Sequence, residues 1–437
     1  MTNQQEYSFA EKQPGTLETN LQGAPAEPAF LQELRIRAAK SLSELAVPTI
    51  SQESWKYTSV KRAMGHEFQT DSKPAAGKDY TAALAAVEIR GLDCYRIVLV
   101  NGLYHAGLSS SFTGEDKVSV KLYPFQQAFE EAAFATHFNR LNSAETEYFS
   151  AMNLARADRG LFIEVARGYT VSKPVYIINL LDSAENIFLN TRNLVIIHEL
   201  ASVDLVETTI NVSHAEVQIN LNHHGECFLA PQARATEVFI QRGNANTALL
   251  NKNEIFMSAD SNYNNHTYTL EGAFTRNNLN MYLEGPGIEA HMYGFYQTKD
   301  GELVDNHTLA DHQVNNCMSS EHYKGILNGK SSGVFNGKVV VHPDAQKTNA
   351  YQQNNSILLG KNSSMNSKPE LVIFADDVKC SHGSTIGQLN PDSLFYLKAR
   401  GIAEETAKLL LIKAFAHELT LRLKPEALRE HLNELIG

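Results

Sequence analysis

Apolar and polar positions along the 437-residue chain follow three successive patterns. Leu31, Leu34, Ala38, Leu42 and Leu45 recur at helical spacing, which predicts a helix from about Phe30 to Leu45, stopped by Pro48. A second helical segment is expected from Pro124 to Phe138, with Phe125, Phe129, Ala132 and Ala133 on one side. The opening 25 residues are polar, carry Gly and Pro, and read as loose. Trp55, the only tryptophan, is expected to be a packed aromatic. Residues 1–155 therefore read as a mixed, mainly helical N-terminal domain.

From 156 to 376 helical periodicity gives way to short runs of alternating β-branched, aromatic and polar residues. They include Leu161–Val165, Val175–Leu180, Leu194–His198, Val203–Thr208, Val217–Leu221 and Val238–Gln241. Thr267–Leu270, Leu279–Leu283, Gly333–Val341 and Leu371–Phe374 continue the series. So many short strands require an all-β architecture that manages its edges. A sandwich would show hairpin turns at regular intervals, and only Asn328-Gly329 and Asn336-Gly337 fit that description. Asparagines such as Asn262, Asn264, Asn265, Asn277, Asn278 and Asn280 suit stacked coils, because their amides form ladders. A parallel β-helix with rungs of about 20 residues accounts for the pattern better than a sandwich, which stays open as the alternative. Residues 377–437 turn helical again: Pro391 opens a segment that Gly401 stops, and Glu404 and Glu405 begin the next. Leu409, Ile412, Ala416, Leu419 and Leu423 give that last helix an apolar face, for its own body or for a partner.

Composition narrows the function. A net charge of -11 argues against nucleic acid as a main partner. No run approaches the length of a membrane span, and the N-terminus lacks a basic-then-apolar leader, so a cytoplasmic protein is expected. Cys94, Cys227, Cys317 and Cys380 have no paired spacing; buried thiols are expected at the first three. Walker, G-x-S-x-G and H-E-x-x-H motifs are absent, which removes the usual ATPase, hydrolase and zinc-protease signals. His223-His224, near Cys227, reads as a surface pair facing opposite ways on a strand. Asp376-Asp377 reads as a solvated or turn-capping pair.

The stretch Asp376-Asp-Val-Lys-Cys-Ser-His-Gly-Ser-Thr385 carries the most chemistry. If it is extended, Cys380 and His382 project to the same side, a soft thiol beside an imidazole suited to zinc, iron or an iron–sulfur cluster. A closed site needs about four ligands. The rest must come from distant residues or from a second chain.

This stretch, followed by Leu394-Phe-Tyr-Leu-Lys-Ala-Arg-Gly-Ile402, resembles the C-terminal signature of the SufB/SufD family. Glu321-His-Tyr-Lys-Gly-Ile-Leu327, Gly333–Val340, Asp344–Gln352 and Trp55-Lys-Tyr-Thr58 resemble the family pattern in the same order. Lys379-Cys-Ser-His-Gly383 is the SufD-like version; the Glu-His-Glu-Ala-like sequence of SufB is absent, and Ser384 stands where Ala is expected. The resemblance implies a mainly β protein: a right-handed parallel β-helix flanked by helical N- and C-terminal domains. It further implies a non-enzymatic scaffold that pairs with a SufB-type subunit through the β-helix and with a SufC-type ATPase through the C-terminal helices. His382, and less strongly Cys380, are the implied iron or cluster ligands, the cluster being transient and shared. No tightly bound cofactor is expected in the isolated chain, which is expected to homodimerise when alone. A polysaccharide-acting β-helix enzyme and a self-sufficient SufB-like homodimer are the alternatives.

Overall fold

A computed structural model describes residues 26–69, 77–141 and 144–436. The polar opening segment expected to be loose lies outside them.

The centre of the chain is a parallel β-solenoid of about eight turns. Its strands form two facing sheets, ten and nine strands among the described residues, and from Leu161–Val165 onward consecutive strands alternate between them. The helix-versus-sandwich question is thus decided for the helix. Ala248 lies beside Phe274 and Ser332 beside Ser364, offsets of 26 and 32 residues. A turn is therefore longer than the expected 20 residues. Two strands of about ten residues and two connections must fit in each circuit, and polar strands such as Leu303–His312 fill the gaps between the recognised apolar runs.

Strand alternation builds the interior. In Ser332–Val341, Phe335, Val339 and Val341 enter the core while Asn336 and Lys338 point outward. Parallel register then stacks equivalent positions: Cys227, Ile255, Met281, Ala310 and Val339 form one column. Each buried Ile, Met or Val side chain contributes about 1.5–3 kcal/mol. The expected asparagine ladder is present: Asn251 donates to Asn277 (3.0 Å), which donates to Asn306 (2.9 Å). Asn336-Gly337 is no hairpin turn but lies within a strand, whereas Gly329 does turn, at φ +60°.

Both sheets bury their outer faces. On the nine-stranded sheet, Phe125, Phe134, Phe138, Phe149 and Met152 of the N-terminal region pack onto Phe162, Phe188, Phe228 and Phe274. On the other sheet, Leu419, Leu428 and Leu432 of the terminal helices pack onto Val238, Ile240 and Tyr268. The helix expected at Phe30–Leu45 runs Ala29–Glu44. The one expected over Pro124–Phe138 is broken: a 3-10 turn (Phe125–Glu130) and a short helix (Ala132–His137) flank an extended Glu131 at ψ 124°. That break lets Phe125, Phe134 and Phe138 converge, with ring centroids 4.8–5.6 Å apart. At the C-terminus, Asn390 caps the helix Pro391–Ala399, and Gly401 ends it at φ +84°.

The two ends of the solenoid differ. At the N-terminal end, Leu103–Tyr104 and Val120–Pro124 pair antiparallel with the first parallel strands, Tyr95–Val100 and Leu161–Val165, and end the parallel register. At the C-terminal end, Ser364–Ile373 and Lys379–Gly387 are the last strands of their sheets, each paired on one side only. No helix of the described residues is long and apolar enough to cross a membrane.

Candidate site at the open end of the solenoid

The segment carrying Cys380 and His382 is extended, as the same-side argument required: it is the terminal strand Lys379–Gly387. Cys380 sits opposite Ala350 and His382 opposite Gln352, both fully buried on the preceding rung. Cys380 and His382 therefore continue inward-facing columns past the point where the interior ends. The Cys380 thiol is half-buried against the core, while the His382 ring is exposed. Burial pushes the Cys380 thiol up, only partly opposed by the Ala350 N–H, so its thiolate is disfavoured in the isolated chain. No cluster of three or more His, Cys, Asp or Glu side chains with metal-binding geometry occurs among the described residues.

The column beneath His382 is polar. Gln352 donates through Nε2 to Glu321 Oε2 (2.7 Å), and Glu321 Oε1 accepts from the Thr308 hydroxyl. Burial pushes the Glu321 carboxyl up to about 7 against these two donors. Gln352 Oε1 is buried and has no hydrogen-bond partner. On the rim of the open end, Ser384 and Ser367 hydroxyls lie 2.8 Å apart, and Ile373, Phe374 and Ile386 are exposed. Sequence reasoning missed Gln352 and Glu321; only the rung register aligns them with His382.

The other candidates lie elsewhere. His223 and His224 face opposite sides, but both are buried, so the surface pair is corrected. His223 points into an interior cavity that Cys227, Glu207 and Glu237 also line, and His224 is buried on the opposite face near Arg192 and Lys252. Burial drives His223 down to about 4 and the Cys227 thiol well up. Cys317 is buried with Sγ 3.1 Å from Gly285 O, Cys94 is half-buried, and all four thiols are free. Asp376 and Asp377 are exposed in the turn before the terminal strand.

Trp55-Lys-Tyr-Thr58 forms a clasp on the outer face of the solenoid. Trp55 packs on Phe149 (5.6 Å) and lies under the Arg276 guanidinium (3.9 Å). Arg276 pairs with the buried Asp305, which also accepts from Thr58 (2.6 Å) and lies 2.8 Å from His307 Nε2.

Two family models match this chain. One, described as "SUF system FeS cluster assembly, SufBD core domain", covers residues 179–415, and "SufBD protein N-terminal region" covers 22–177. The chain belongs to the SufBD family. It is similar to the iron–sulfur cluster assembly protein SufD of Escherichia coli (28% identical; 95% of this chain and 93% of that protein). A SufBD family protein of Synechocystis is 26% identical over 94% of this chain and 91% of its own length. SufD of Bacillus subtilis is 24% identical, covering 94% of both. The SufBD core match takes in every strand from Ile187–Ile197 to the terminal strand and the helix that follows it, so Cys380 and His382 lie within the family domain.

Proposed function

We propose that this SufBD-family chain is a non-catalytic scaffold on which nascent iron–sulfur clusters are assembled together with a SufB-type subunit and a SufC-type ATPase. The observation that carries this reading is the placement of His382: an exposed imidazole on the terminal strand of an uncapped solenoid, beside one half-buried thiol. One imidazole and one thiol make half a ligand set, and the open end offers the edge on which a SufB-type β-helix supplies the remainder. The cluster is cargo, held transiently between subunits and then released; His382 is its ligand from this chain and Cys380 a supporting thiol. Incomplete ligation favours that release, since a four-ligand closed site would retain the cluster.

The terminal helices present a second surface. Ala407, Ala416 and Leu419 pack inward, while Phe395, Tyr396, Leu409 and Leu410 stay exposed. The exposed set is the proposed dock for the SufC-type ATPase, which leaves nucleotide hydrolysis to the partner. In the absence of SufB, the unpaired edge is expected to accept a second copy of this chain.

The test is anaerobic co-purification with the SufB- and SufC-type partners, wild type against His382→Ala, with iron and sulfide quantified. Intact complexes that lose iron and cluster absorbance in the variant support the reading. Unchanged cluster content sinks it.

A further inference from the structure

A histidine that holds a metal presents one ring nitrogen to it and needs a partner for the other, because that hydrogen bond fixes both tautomer and ring orientation. No such partner for His382 is visible on its own strand. The neighbouring rung holds an unsatisfied acceptor at the matching position. Gln352 is 0% exposed, and its Oε1 has no donor, an arrangement that leaves a buried carbonyl uncompensated.

The orientation of that amide is set from behind. Nε2 donates to Glu321, whose second oxygen is engaged by Thr308, so a flipped amide would turn its oxygen onto a carboxylate. Space is set from the facing sheet: a Cβ at Gly337 would lie 2.1 Å from Nε2, so only glycine leaves the amide its place. The free oxygen belongs to the side chain in direct register with His382, one strand spacing of about 4.8 Å away.

We propose that Gln352 is the positioning residue for His382: Oε1 accepts one ring N–H, and the opposite nitrogen's lone pair is thereby aimed out of the open end toward iron. Thr308, Glu321 and Gln352 form the ordered line behind it. The proposal rests on the reading of His382 as a ligand. It assigns a role to residues that touch neither the metal nor the partner.

The tautomer can be read without metal. Imidazole-labelled full-length chain is followed by nitrogen NMR at alkaline pH, with the His382 signal assigned by its loss in His382→Ala. Wild type is expected to show one tautomer whose N–H is protected from exchange, and Gln352→Met the averaged signal of a free imidazole. In the partner complex, Gln352→Met should assemble normally yet bind iron about 10–100-fold more weakly. The exchange variant Glu321→Gln/Gln352→Glu keeps a donor and an acceptor in reversed order and should restore both readouts. It also serves if Gln352→Met does not fold. A folded exchange variant with an averaged tautomer, or a Gln352→Met chain with wild-type tautomer and iron, overturns the role of Gln352. Iron unaffected by His382→Ala overturns instead the ligand reading beneath it.

Discussion

Replacing Asp305 with alanine should cost more stability than almost any other single polar truncation in this chain. The carboxylate is 0% exposed and pairs with Arg276, itself only 3% exposed. Burial alone would push the Asp305 carboxyl up, but the charges of Arg276 and His307 and hydrogen bonds from His307 and Thr58 hold it down to about 2. Against the ordinary value of 3.8, that depression corresponds to roughly 2–3 kcal/mol of stability at neutral pH. It is present above the unfolded value and disappears as pH falls toward 2. Breaking a buried pair from one side costs about 3–5 kcal/mol, because the abandoned guanidinium stays desolvated. The two routes describe the same interactions and agree on roughly 3 kcal/mol. Urea unfolding followed by circular dichroism measures it, with Trp55 fluorescence as a local reporter of the clasp. Arg276→Met in the Asp305→Ala background should recover about 1 kcal/mol or more by removing the orphaned charge. A loss below about 1 kcal/mol, or a double variant no better than the single, would refute the reasoning.

Other consequences are as direct. His382→Ala should leave thermal stability within about 0.5 kcal/mol, since the ring is exposed, while Gly337→Ala should cost about 1–3 kcal/mol by displacing Gln352; calorimetry separates them. Stability should peak near about pH 6. Glu237 and Glu321, raised to about 7 by burial, lose their contribution as pH climbs from 4.5 through 7. His223 and His312, lowered to about 4 by burial, lose theirs as pH falls from 6.5 through 4. A melting temperature rising steadily from pH 6 to 8 would contradict this balance. Ile386→Lys, at the exposed rim, should weaken pairing with the SufB-type subunit in pull-down while leaving the melting temperature unchanged.

Much of this was legible in the sequence, and the illegible part has a common cause. Leu161–Val165 and Val175–Leu181 announce themselves because their inward positions are aliphatic. Met318–Leu327 and Asn349–Leu358 do not, because their inward columns hold Glu321, Gln352 and Asn354, whose hydrogen bonds run to the neighbouring rung or the facing sheet rather than along the strand. Covered outer faces add polar residues such as Arg192 and Glu226, whose pairing no local pattern reveals. The Cys380 and His382 pair survives as a two-residue spacing, so it could be read directly. Gln352 and Glu321 reach it only through register, which the sequence encodes but does not display.

The solenoid ends in antiparallel strands on one side and in parallel strands on the other. Such a body offers only one terminus whose strand direction lets a parallel stack continue. Whatever continues the terminal rung must arrive with an exposed edge of its own and, if it is built alike, with its far end already stopped. On the function proposed above, assembly along this axis would end at a pair, and the asymmetry that offers one matching terminus would keep a stack of parallel strands from propagating into a fibre.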